Sequence, residues 1–305
     1  FHENICLAVI VIEFVTIVVP TVFYARLRGD RFVSRMRLRA FGPDKLFVII
    51  LAAVTLFFAD VLLKLGLHAV GAVSEDYSIY TYYFRGTGET VDFVYSLITF
   101  VVIPSVSEEL LFRGVLIPEY EDNGAVTAVV ATSLLYGMFG MSFGYFPVYF
   151  LQGLFFGTVT YLARSVFASM LCHFVFSSVW LVFGETVWRI IEKPQSTAFL
   201  VVALGGIFLV AMSSLLSECE RIYYNYSTAG RESDYAKECP RFSPAKFAEA
   251  LFAPPFPAAA LVFAAACLLL LMMQRDLGTA LIYYLTTLVL FYVACGNVPL
   301  TVVGL

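Results

Sequence analysis

Apolar residues in this chain gather into long unbroken stretches, without the alternation of a strand or the narrow stripe of a soluble helix. Such runs lie near 5–24, 46–72, 93–117, 125–141, 147–163, 166–183, 198–216, 258–273 and 277–296. A bilayer core requires about 20 mostly apolar residues in helical form, and most of these runs approach that length. Hydrocarbon offers no water to satisfy backbone N–H and C=O groups, so the segments must be helical. The pattern predicts an all-α fold, a polytopic transmembrane helical bundle of about eight to nine spanning helices.

Composition agrees. Of 305 residues, 60% are hydrophobic and 14% charged, with a mean hydropathy of +0.85. A soluble domain has roughly half and a quarter respectively, so lipid is the solvent here and the chain is an integral membrane protein. The net charge of −4 and the lack of a long basic run argue against nucleic acid as a partner. Cys6, Cys172, Cys219, Cys239, Cys267 and Cys295 form no C-x-x-C pair, and they read as small hydrophobes. The first run has no basic segment before it and no small-residue cleavage site after it, so it reads as a spanning helix, not a signal peptide. The chain opens on Phe1 and stops at Leu305 straight after an apolar run, which reads as an excerpt of a longer sequence.

Orientation follows from the Lys/Arg bias of short loops. Segment 25–45 carries Arg26, Arg28, Arg31, Arg35, Arg37, Arg39 and Lys45 and is expected on the cytoplasmic side. Segment 73–92 is mostly acidic and belongs outside, and the polar loop 217–257 returns inside. One segment pulls the other way: 118–124 is acidic, yet the count of crossings puts it in the cytoplasm.

Charge within a span is costly, by about 2.5–3.5 kcal/mol per residue at the centre of a helix. The third run nevertheless contains Glu108-Glu109-Leu-Leu-Phe-Arg113-Gly114. Glu109 and Arg113, four apart with the acid first, stack on one face as an ion pair. Glu108 is turned about 100° away and has no local cation, an arrangement suited to proton transfer. A bland alternative is an ion cluster at a helix end. The sixth run contains His173 and, four residues on, Ser177. A lone histidine of this kind is more often a hydrogen-bonded core residue than a catalyst. One histidine and scattered acids do not make a zinc ligand set, and no cofactor is expected.

These residues together resemble the CAAX-protease and bacteriocin-processing family, the Abi family of membrane-embedded peptidases. The likeness covers roughly 5–260, with a motif core at 93–183. The family's Glu-Glu-x-x-x-Arg is matched by Glu108, Glu109 and Arg113. Its Phe-x-x-x-His aligns with Tyr136 and Gly140, and its His-x-x-x-Asn with His173 and Ser177. The resemblance implies that Glu108 activates a water and that His173, with the weaker Ser177 hydroxyl, holds the oxyanion. Glu109 and Arg113 would support them. The substrate implied is a membrane-anchored or prenylated peptide or protein, cleaved at a site facing the cytoplasm.

Gly140 stands where the family has its second-motif histidine. Losing one acid–base group costs on the order of 10²–10⁴ in rate. Two readings stay open: a peptidase of impaired activity, or a degenerate relative that binds and regulates a membrane partner. A proton-driven transporter is a third, without internal repeats to support it.

The C-terminal stretch 258–305 is read as a separate helix pair. Its Gln274-Arg275-Asp276-Leu277-Gly278-Thr279 resembles a signature of RodA/FtsW-type (SEDS) cell-wall polymerases. Over so short a length this implies a fusion or a fragment. Both resemblances point to a bacterial plasma membrane.

Overall fold

The computed structural model describes residues 5–73, 93–192 and 197–228, and they all lie within one unit, Phe1–Cys239. The runs at 258–273 and 277–296, with the wall-polymerase likeness, fall outside the described residues.

The first rod comprises α1 (Ile5–Glu13), a π-helical stretch Phe14–Val18 and α2 (Val19–Arg28). A short α3 (Asp30–Arg35) leads to the long α4 (Leu46–Ala69). The next rod is assembled from α5 (Phe93–Leu97), a π stretch Ile98–Val102, α6 (Ile103–Glu109), a π stretch Leu110–Leu116 and α7 (Ile117–Tyr120). Then come α8 (Ala125–Phe139), α9 (Phe146–Ala163), α10 (Val166–Ile191) and α11 (Thr197–Thr228). Among the described residues there is no strand. Among the described residues, five helices are long and apolar enough to cross a membrane: Cys6–Arg28, Pro43–Ala69, Phe146–Ala163, Val166–Ile191 and Val201–Asn225, while Ala125–Phe139 is shorter.

Two ends differ from the hydropathy reading. The run expected to stop at 183 continues to Ile191, and that expected to stop at 216 continues to Thr228. In each extension an acid and an arginine pair along the helix, Glu185 with Arg189 at 2.9 Å and Glu218 with Arg221 at 2.8 Å. Pairs at this spacing support helix where apolar character has run out. The segment read as a polar loop from 217 therefore begins as helix.

The three π stretches share a cause. Each ends two residues before a proline: Val18 before Pro20, Val102 before Pro104, Leu116 before Pro118. Proline lacks the N–H that would bond back four residues, and its ring meets that carbonyl. Widening the preceding turn to i→i+5 relieves the contact without breaking the rod.

Around α4 pack α9, α10 and α11, and α8 lies against α9. Their shared core includes Ile49, Ala52, Leu56, Phe112, Tyr136, Phe156, Cys172 and Phe176. Helices α8 and α9 approach closely because α9 carries Gly153-Leu-Phe-Phe-Gly157. A Cβ at Gly153 would sit 2.8 Å from the Ser133 backbone, and one at Gly157 3.0 Å from Val129. Small residues four apart are a usual means of close packing in lipid.

The loops explain the acidic segment 118–124. Glu119 receives Arg28 through two bonds of 2.8 and 2.9 Å, and Tyr24 at 2.8 Å. Arg35 meets Asp122 at 2.9 Å, and Arg37 pairs with Glu121. Arg39 donates to the Arg164 carbonyl at 2.9 Å. The acidic loop and the arginine-rich segment 25–45 thus share one end of the bundle. The acids are counter-ions, so their sign does not conflict with the crossing order.

Candidate active site

The chemistry-bearing residues come from four rods. Glu109, the last residue of α6, and Arg113, on the π stretch that follows, are both fully buried. Arg113 Nη1 donates to Glu109 Oε1 at 2.9 Å, and Nη2 donates to the Gly153 carbonyl at 3.0 Å. The close α8–α9 approach brings that carbonyl within reach. The guanidinium also lies over the Tyr136 and Phe156 rings, at 4.8 and 5.3 Å to their centroids. An arginine this enclosed serves as a fixed strut.

From α10, His173 meets the same carboxylate, with Nδ1 3.2 Å from Glu109 Oε1. Its ring stacks on Phe156, centroids 4.6 Å apart and planes 18° from parallel. Glu109 therefore links Arg113 to His173, a bond the helical-face argument did not anticipate. With Nδ1–H donated to Glu109, the ring's other nitrogen, Nε2, is left for chemistry.

Glu108, expected to have no local cation, is held instead by a neutral hydrogen-bond donor. Tyr136 on α8 is buried and donates its hydroxyl to Glu108 Oε2 at 2.7 Å. The tyrosine is fixed in turn by edge-to-face contact with Phe112, centroids 5.0 Å apart. Glu108 is half-buried and interacts electrostatically with His173, Glu109 and Arg113. One face of α6 thus joins the ion pair while the neighbouring acid remains available. Ser177 is half-buried and makes no hydrogen bond among the described residues. Its neighbour Ser178 bonds the Phe174 carbonyl at 2.7 Å. At Gly140, which follows α8, a Cβ would lie 2.2 Å from the Tyr149 ring, so an aromatic side chain occupies that side.

Several participants went unnoticed in the sequence. Glu13, at the end of α1, accepts a hydrogen bond from Ser107 at 2.9 Å. It was hidden in the first apolar run, though an isolated acid in a span is itself a signal. A separate buried network joins Asp60 and Lys64 of α4, 3.0 Å apart, to Gln152 of α9, whose amide donates to Asp60 at 2.9 Å. Lys64 Nζ sits 3.6 Å over the Trp180 ring. His68 bonds the Val73 carbonyl at the end of the bundle away from the arginines.

Comparison with known proteins gives one match. Residues 90–179 fit the family described as Rce1-like, type II CAAX prenyl endopeptidase Rce1-like. That span contains Glu108, Glu109, Arg113, Tyr136 and His173 and stops short of α11. No curated protein and no solved structure matches the chain.

Proposed function

We propose, from the match of residues 90–179 to the type II CAAX prenyl endopeptidase Rce1-like family, that this integral membrane protein hydrolyses a peptide bond of a membrane-anchored or prenylated substrate. The observation that carries the reading is the convergence on Glu109. Arg113, fixed to the Gly153 carbonyl, holds the carboxylate, and the carboxylate holds His173 Nδ1. Glu108, anchored by Tyr136, is free to act beside that unit.

In the proposed reaction Glu108 takes a proton from water as its oxygen attacks the scissile carbonyl carbon. His173, oriented by Glu109, acts through Nε2. As an imidazolium it donates to the developing oxyanion, and the Glu109 carboxylate stabilises that charge. Preorganised donors of this kind are worth roughly 10²–10³ in rate each. Ser177, one turn further along α10, is proposed as a minor contributor. The arginine-rich end supports a cytoplasmic opening, since positive loops face inside. The two family likenesses support a bacterial plasma membrane as the setting.

The Tyr149 ring beside Gly140 favours a second reading, in which the bundle is kept for binding and regulating a membrane partner. The two are separated by cleavage of a farnesylated peptide by the purified full-length protein in detergent. The peptidase reading expects turnover that Glu108→Ala lowers by about 10²–10⁴. Turnover unaffected by Glu108→Ala, or none by the native chain, gives the ground to the binding reading.

A further inference from the structure

Beyond the residues that match the family, one more acid reaches the site. Glu13 closes α1, and its Oε2 accepts the Ser107 hydroxyl at 2.9 Å. Ser107 immediately precedes Glu108. Helix α1 packs on α6 and on the π stretch Ile98–Val102, and Glu13 interacts electrostatically with both Glu108 and His173. An acid within a span is costly and is retained where it has a function or a partner. A single serine hydroxyl does not neutralise it.

The charged groups that interact with this acid are Glu108 and His173, and Glu108 in turn interacts with Glu109 and Arg113. Arg113 is matched to Glu109, and His173 bonds that same carboxylate. Glu13 and Glu108 therefore compete for what positive charge remains. Two interacting carboxyls lower their repulsion when one of them carries a proton.

We propose that Glu13 is a second catalytic acid–base group of this site, working beside Glu108; the proposal rests on the peptidase reading. In the resting state Glu108 is the carboxylate and Glu13 the carboxylic acid. Water's oxygen bonds to the carbonyl carbon, its proton passes to Glu108, and the carbonyl electron pair moves to oxygen. On collapse the C–N bond breaks, its electron pair goes to nitrogen, and Glu13 gives that nitrogen its proton. Transfer of the proton on Glu108 back to Glu13 restores the starting state. One water is consumed, and no cofactor, oxidant or reductant is needed. Tyr136 is a poorer acid for this step because its hydroxyl is already given to Glu108.

The test uses the full chain in detergent with a farnesylated peptide. Glu13→Gln is expected to lower kcat by about 10²–10⁴ with little change in KM, while Glu13→Asp retains part of the rate on a displaced pH profile. Native-like kcat in Glu13→Gln overturns the proposal. A second measurement does not depend on turnover: labelling by dicyclohexylcarbodiimide, which reacts with protonated carboxyls in the membrane, located by peptide mass spectrometry. Coupling between the two carboxyls predicts that Glu108→Gln moves the pH midpoint of Glu13 labelling by roughly one unit or more. An unmoved midpoint overturns the pairing even if cleavage is robust. Absence of native cleavage overturns the peptidase reading and the catalytic role with it, and the labelling then decides the coupling by itself.

Discussion

Two acid–base pairs at i,i+4 are buried within the spans of this chain, Asp60–Lys64 on α4 and Glu109–Arg113 after α6. Their immediate chemistry is alike: a carboxylate, a cation over aromatic rings, and one polar contact from α9. Gln152 serves the first pair and the adjacent Gly153 carbonyl the second. What surrounds them differs. Asp60–Lys64 lies on a regular helix and has no further ionisable hydrogen-bond or ion-pair partner among the described residues. Glu109 has an ionisable group on its other side, His173, and an unmatched acid next door, Glu108. A buried ion pair alone is therefore an argument for helix cohesion. The extra acid and the histidine turn the second pair into a candidate site.

The largest effect should come from removing one cation from either pair. Leaving a buried carboxylate alone costs about 3–5 kcal/mol, so Arg113→Ala and Lys64→Ala should both lower the thermal unfolding midpoint in detergent markedly. The comparison is broken if Arg113→Ala abolishes cleavage while leaving the midpoint unchanged, because the arginine would then be chemical and not a strut.

Replacing both members together separates the pairs further. Swapping a buried ion pair for apolar residues of similar volume is often neutral in stability. Asp60→Leu with Lys64→Met should keep the midpoint near native and keep cleavage. Glu109→Leu with Arg113→Met should keep the fold but lose turnover by about 10²-fold or more, since His173 is no longer oriented. Equal loss of turnover in both double variants would make the α4 network part of the site.

What could be read from sequence divides along the same line. The helical rods follow from hydropathy, and the Glu109–Arg113 pair from a spacing of four, because both are local. The ends at Ile191 and Thr228 were missed because pairs such as Glu185–Arg189 extend a helix after apolar character stops. Prolines 20, 104 and 118 were visible, yet a proline in an apolar run does not declare whether the rod kinks or widens into a π turn. Glu13, Asp60 and Lys64 were averaged away inside apolar windows. That His173 meets Glu109 rather than Glu108 is a contact across 64 positions. Helix periodicity orients each face but says nothing of which faces meet.

A smaller effect tests how Glu108 is held. Tyr136→Phe removes the hydroxyl that donates at 2.7 Å and keeps the ring against Phe112. A hydrogen bond to a charged group is worth about 1.5–3 kcal/mol, so kcat should fall by roughly ten- to a hundredfold with little change in unfolding midpoint. An unchanged kcat would mean that Glu108 is positioned by other contacts.

The smallest effect is expected at Ser177. It shares a face of α10 with His173, one turn away, and the resemblance would have it aid the oxyanion. In the structure it makes no hydrogen bond among the described residues, whereas Ser178 is engaged with the Phe174 carbonyl. A hydroxyl with no partner to fix it is a poorly preorganised donor, and preorganisation is what makes an oxyanion contact strong. Ser177→Ala should therefore alter both kcat and stability by no more than about 0.5 kcal/mol, a factor of roughly two. A hundredfold loss of kcat at unchanged KM would instead make Ser177 a full oxyanion donor, ordered only when substrate is bound. The part of α10 that belongs to the site would then extend from His173 one turn further along that helix.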